Sequence, residues 1–191
     1  SNWRDGVVLS DYIGSSEIGK SGLPQDAKKV KMHFAGGIIS VNLEKQIVDN
    51  CSNTGNMSGY TGSGGVVGLN AGLIYNCRLT QHFGSAALNY IGGISGINVG
   101  LTGMDKAYDG ITYRSGTIQS CTTAQNKTVS GNSNVGGITG WNLNDGILKE
   151  NTSYANISAS GKENVGGFTG RNNGTLIVAS DQDTSRNISA A

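Results

Sequence analysis

The apolar positions of this chain fall in short alternating runs, none of them periodic enough at 3.6 residues for a helix. One run recurs five times: Ala35-Gly-Gly-Ile-Ile-Ser-Val-Asn42, Ser63-Gly-Gly-Val-Val-Gly-Leu-Asn70, Ile91-Gly-Gly-Ile-Ser-Gly-Ile-Asn98, Val135-Gly-Gly-Ile-Thr-Gly-Trp-Asn142 and Val165-Gly-Gly-Phe-Thr-Gly-Arg-Asn172. The leading glycine of each pair stands at 36, 64, 92, 136 and 166, so the spacings are 28, 28, 44 and 30 residues. A second block follows each first one: Ile47-Val-Asp-Asn-Cys51, Leu73-Ile-Tyr-Asn-Cys77, Thr117-Ile-Gln-Ser-Cys121, Ile147-Leu-Lys-Glu-Asn151 and Leu176-Ile-Val-Ala-Ser180. A weaker third block centres on Met57, Ala86, Val129, Ile157 and Ile188.

Three short strands per unit of 28–30 residues predict an all-β fold, a right-handed parallel β-helix or β-solenoid. Successive turns of such a stack lie about 4.8 Å apart, so each residue sits over its counterpart. The interior is then expected to hold Ile38, Val66, Ile94, Ile138 and Phe168 from the first run, with Val48, Ile74, Ile118, Leu148 and Ile177 from the second. The paired glycines suit a corner with no room for a Cβ. Asn42, Asn70, Asn98, Asn142 and Asn172 recur at one position, where stacked amides can bond above and below. The outward column Asp49, Tyr75, Gln119, Lys149 and Val178 contains no like-charged neighbours, as an in-register stack requires.

Residues 1–34 do not match the unit and read as an N-terminal cap or partial turn, with Trp3, Val7, Val8 and Leu9 available to plug the first turn. Lys28-Lys-Val-Lys-Met-His-Phe34 could supply the last strand of a preceding turn. Residues 35–191 are the repeats, and the 44-residue spacing places an insertion at about 99–116. Asn187-Ile-Ser-Ala echoes Asn156-Ile-Ser-Ala, so the chain stops mid-unit and reads as a piece of a longer protein.

Composition narrows the chemistry. With 31 glycines, one proline, 14% charged residues and a net charge of +1, the chain lacks the basic excess of a nucleic-acid binder or a polybasic membrane anchor. No apolar run has the length of a spanning helix, so membrane insertion is not expected. His33 and His82 are the only histidines, which excludes a helical zinc-protease pair. The glycine-rich segments open strands, not helices, and so are not phosphate cradles. No catalytic residue, metal or cofactor is expected. Cys51, Cys77 and Cys121 share one column, continued by Asn151 and Ser180, and read as small buried fillers in preference to a disulfide.

Gly137-Ile-Thr-Gly140, Gly167-Phe-Thr-Gly170, Gly93-Ile-Ser-Gly96 and Gly65-Val-Val-Gly68 resemble the GLUG motif of bacterial cell-surface proteins, also found upstream of zinc-dependent IgA proteases. The resemblance covers roughly residues 35–180, and Ser40 departs from it where the motif ends in glycine. It implies a surface or secreted repeat module attached to other domains of the same polypeptide, and carries over no catalytic residue.

Candidate binding residues come from two places. The insertion concentrates Asp105, Tyr108, Asp109, Tyr113 and Arg114, a set suited to sugar or peptide recognition. Ile39, Val41, Val67, Leu69, Ile97 and Trp141 point out of the first run, and Arg171 can stack on Trp141 one turn on. Such a face calls for a partner or for a cover supplied by residues 1–34 or the insertion. The expected function is a non-catalytic adhesive unit or stalk, secreted or cell-surface, meeting a host glycan or surface protein. The alternative is a polysaccharide lyase or glycoside hydrolase on the same scaffold, which would need clustered carboxylates such as Asp105 with Asp109.

Overall fold

A computed structural model describes residues 7–8 and 31–177, apart from 56, 58, 59, 102, 144 and 162. Strands, turns and bends make up this region, with no helix among the described residues. The repeats wind into a β-solenoid whose longest sheets are five strands deep, one strand from each coil. Coil 1 begins at residue 35, coil 2 at 63, coil 3 at 91, coil 4 at 135 and coil 5 at 165.

The first sequence run bends into two strands and the second is followed at once by a further short one, so a complete coil contributes to five parallel stacks. The first stack contains Ala35–Gly36, Ser63–Gly64, Asn89–Gly92, Ser133–Gly136 and Val165–Gly166. The second contains Ile39–Asn42, Val67–Asn70, Ser95–Asn98, Thr139–Asn142 and Thr169–Asn172. Ile47–Asp49, Leu73–Tyr75, Thr117–Gln119, Ile147–Lys149 and Thr175–Ile177 form the third. Shorter fourth and fifth stacks start at Ser52–Asn53 and Phe83–Gly84.

The bends have local causes. At the first, a Cβ on Gly64 would run into the Val67 carbonyl of its own coil and the Ile94 carbonyl of the next. At the corner between the third and fourth stacks, Asn50, Asn76, Ser120 and Glu150 all turn with φ of 52–55°. Asparagine tolerates that left-handed conformation better than most residues, and it holds the first two of these positions.

Val66, Ile94 and Ile138 from one side and Val48, Ile74, Ile118 and Leu148 from the other fill one buried core. Burying a branched aliphatic side chain contributes roughly 1.5–3 kcal/mol, so this axis supplies most of the cohesion between coils. Several assignments differ from the sequence pattern, and Ile38, expected in the interior, is 43% exposed in coil 1. In coil 5, Leu176 and not Ile177 continues the Leu148 column, and Ile177 lies outward beside Lys149. The two-residue turn Asn173–Gly174 brings Thr175 into line, as Ala71–Gly72 does for Leu73 in coil 2. Val178 falls outside the described residues. In the third block Phe83, not Ala86, stands between Met57 and Val129, because its ring is the larger filler and is 2% exposed.

The outward apolar face is covered, one of the two outcomes expected of it, with Phe34 and, from the insertion, Val99 and Leu101 against it. Val67, Leu69, Ile97 and Trp141 are buried, and Ile39, at 37% exposure in coil 1, is the one that stays open. Leu69, Ile97 and Trp141 join Phe34, Ala71, Val99 and Leu143 in a second core on the far side of the second stack, with Val41, Tyr90 and Leu101 against it. Glycines at 68, 96, 140 and 170 turn the opposite face of that stack onto the first stack, where a Cβ on Gly96 would sit 2.5 Å from Gly62. Of the expected cap, Lys31–Met32 pairs antiparallel with Val7–Val8 instead of stacking as a preceding coil. Trp3 and Leu9 lie outside the described residues, as do residues 178–191.

The five asparagines form a continuous amide ladder. Each Nδ2 donates to the Oδ1 one coil on: Asn42 to Asn70 at 2.8 Å, Asn70 to Asn98 at 2.7 Å, Asn98 to Asn142 at 2.8 Å and Asn142 to Asn172 at 2.8 Å. A second amide proton reaches a backbone carbonyl, such as Gly116 O from Asn98 at 2.7 Å. Replacing Asn98 by alanine leaves the Asn142 carbonyl without its donor and removes an acceptor from Asn70, at a cost of roughly 2–4 kcal/mol. Asn172→Ala, at the exposed end, should cost less than about 1 kcal/mol. Urea unfolding of both variants checks this ranking, and equal losses would contradict it.

Candidate functional site

The insertion is an ordered β-hairpin. Lys106–Tyr108 pairs antiparallel with Ile111–Tyr113 in the register Lys106 with Tyr113 and Tyr108 with Ile111. Asp109 and Gly110 form the turn with φ of 44° and 75°. Two consecutive positive values define the tight turn that matches strand twist, and Asp-Gly is a preferred pair for it. Its neck is closed. Val99 and Gly116 occupy the places that Ala71 and Gly72 hold in coil 2, and a Cβ on Gly116 would run into the Val99 carbonyl.

Period-two alternation gives the hairpin two faces. Lys106, Tyr108, Ile111 and Tyr113 are half-buried or buried, whereas Ala107 and Thr112 are exposed. The inner face reaches back along the rod to coil 1. Tyr108 donates from its hydroxyl to Asp49 Oδ2 at 2.9 Å, and Lys106 Nζ donates to Glu44 Oε1 at 3.2 Å and to Ser115 Oγ at 2.9 Å. Nothing in the local sequence signals these partners, which are 59 and 62 residues away.

The six candidate residues therefore part company. Tyr108 and Tyr113 face the stack, with Tyr113 only 6% exposed, so neither offers a free ring to a ligand. Trp141 is 1% exposed and belongs to the second core. Its Nε1 donates to Asn173 Oδ1 at 2.8 Å, Tyr90 stacks on it at 5.5 Å, and the Arg171 guanidinium lies 4.6 Å from its ring centre, as the column predicts. Asp105, Asp109 and Arg114 are exposed. Asp105 and Asp109 do not converge as a carboxylate pair: Asp105 accepts from Arg114 Nε at 2.6 Å, and Asp109 sits in the turn.

Beside the hairpin neck is an open cleft of about 310 Å³, lined by Leu101, Gly103, Arg114, Asp145, Ile147 and Thr175. Asp105 and, more weakly, Asp145 hold the Arg114 guanidinium more firmly protonated than usual. One cation between two carboxylates over a small apolar floor can present both donors and acceptors to hydroxyl or amide groups. Asp145, Ile147 and Thr175 were not signalled by sequence, since they reach the cleft only through the stacking of coils 4 and 5 on coil 3.

The thiols do not form a site. Cys51, Cys77 and Cys121 are free. The Cys51 N–H donates to Cys77 Sγ and the Cys77 N–H to Cys121 Sγ, each at 3.4 Å, before Asn151 Oδ1 takes over as acceptor for the Cys121 N–H at 2.8 Å. Burial pushes the Cys121 thiol well up. The column is a hydrogen-bonded filler of the corner.

These features define the described residues as a β-solenoid with a lateral hairpin. No family model matches it, and neither the curated proteins nor the solved structures searched contain a match.

The Asp49 contact holds the proton on Tyr108: the hydrogen bond, with the neighbouring negative charges, raises its ionisation above that of an ordinary tyrosine. A raised folded-state value means that the tether is intact below the unfolded value of about 10 and is lost as pH rises through the folded one. Tyrosine ring shifts followed by NMR, assigned with Tyr108→Phe, should show late ionisation that Asp49→Asn brings down. A Tyr108 titration equal to that of the denatured chain would contradict this.

Proposed function

We propose that this chain is a non-catalytic β-solenoid module of a secreted or cell-surface bacterial protein, acting as a stalk or adhesive unit beside other domains of the same polypeptide. The observation that carries this reading is the way polar side chains are spent. The asparagine ladder and the cysteine column close on themselves between coils, and on the outer side of the hairpin Arg114 pairs with Asp105. Regular coils give length and stiffness, and the single departure from regularity gives a lateral feature. The likeness of the glycine-flanked repeats to the GLUG motif supports export, and the cleft at Arg114 suits a host glycan or surface protein as partner.

Glycan and host-protein arrays test this with the wild type and with Asp105→Ala/Arg114→Ala, two exposed positions outside both cores. The adhesive reading expects binding that falls at least about tenfold in the variant with an unchanged melting temperature. Absence of binding by the wild type would leave the stalk role alone, and release of reducing ends from a polysaccharide panel would overturn the non-catalytic reading.

A further inference from the structure

We propose that the hairpin is a strap that clamps coils 1 and 2 onto coil 3, so that the stack opens from its first coil only after the strap lifts. The strap departs from coil 3 and is fastened at coil 1, where Tyr108 meets Asp49 at the end of the strand Ile47–Asp49 and Lys106 meets Glu44 in the turn before it. Coil 2 lies between. There Leu73 belongs to an outward column, Ile47–Leu73–Thr117–Ile147, yet its exposure is 0% and it lies in neither core cluster. On the strap reading its cover is the inner face of the hairpin, which holds the half-buried Ile111 and the buried Tyr113.

A solenoid loosens from its ends, because a terminal coil has a neighbour on one side only. Both ends of the described stack carry open apolar side chains: Ile38 at 43% and Leu43 at 46% exposure in coil 1, Val165 at 45% and Leu176 at 43% in coil 5. A strap ties down only the first end among the described residues. The two ends should therefore differ in local stability although their edges are similar.

Hydrogen exchange on the whole chain reads this coil by coil. In the wild type, amides of Ile39–Asn42 and Ile47–Asp49 should exchange more slowly than those of Thr169–Asn172 and Thr175–Ile177. Lys106→Ala/Tyr108→Phe removes the fastenings and keeps the hairpin. Deleting residues 100–115 joins Val99 to Gly116 and recreates the short turn of coil 2. Either change should speed exchange in coil 1 at least about tenfold and leave Thr139–Asn142 unaltered. Unchanged protection in coil 1, or equal acceleration in every coil, would overturn the strap. If the deletion does not fold, the double variant alone decides.

Discussion

An asparagine side chain carries a donor and an acceptor on opposite flanks, and burying either without a partner costs more than most single contacts return. A column of such side chains has one economical solution, in which every amide donates to the next. Here that solution runs through all five coils, from Asn42 to Asn172. It sets the axial register of the second stack independently of what lies between the asparagines, which is why a spacing of 28 and a spacing of 44 residues can coexist in one ladder. A slip by one residue would drive amides into Leu143-type positions and apolar groups into the amide row. The apolar core supplies cohesion along the axis, but it would tolerate sliding far better than the ladder does.

The parts of the fold that repeat were readable before any coordinates, because translation along the axis turns an alignment into a spatial neighbourhood. Val66, Ile94 and Ile138 are interior for the same reason, and the glycine pair needs its bend in every coil. What translation does not supply was harder to read. Leu176-Ile-Val178 is apolar in either register, and only the short Asn173–Gly174 turn distinguishes them. Trp141 alternates outward as expected, but whether an outward face is wet depends on what lies over it, and here a second core forms. The hairpin had a legible signal in Asp109–Gly110 between Tyr108 and Ile111. Its fastenings to Asp49 and Glu44 had none, since a lone carboxylate at a strand end or in a turn looks the same with or without a distant partner.

The candidate site gains from this division of labour. Aromatic residues of the insertion, Tyr108 and Tyr113, are used to dock it on the rod, and the charged residues Asp105 and Arg114 are what it presents to solvent. A binding surface built this way is rigid because its supports are structural. The same supports connect coil 3 directly to coil 1. The charged pair presented to solvent and the contacts that dock the hairpin are thus different side chains of one insertion, and each can be altered separately.

The most direct measurement of the central claim is solution NMR of the asparagine side-chain amides. The account requires that Nδ2 protons of Asn42, Asn70, Asn98 and Asn142 exchange slowly, are shifted apart from free amides, and show through-bond coupling to the Cγ of the asparagine one coil further on. Rapid exchange with degenerate amide resonances, in a chain that still melts cooperatively, would show that something other than the ladder holds the coils in register.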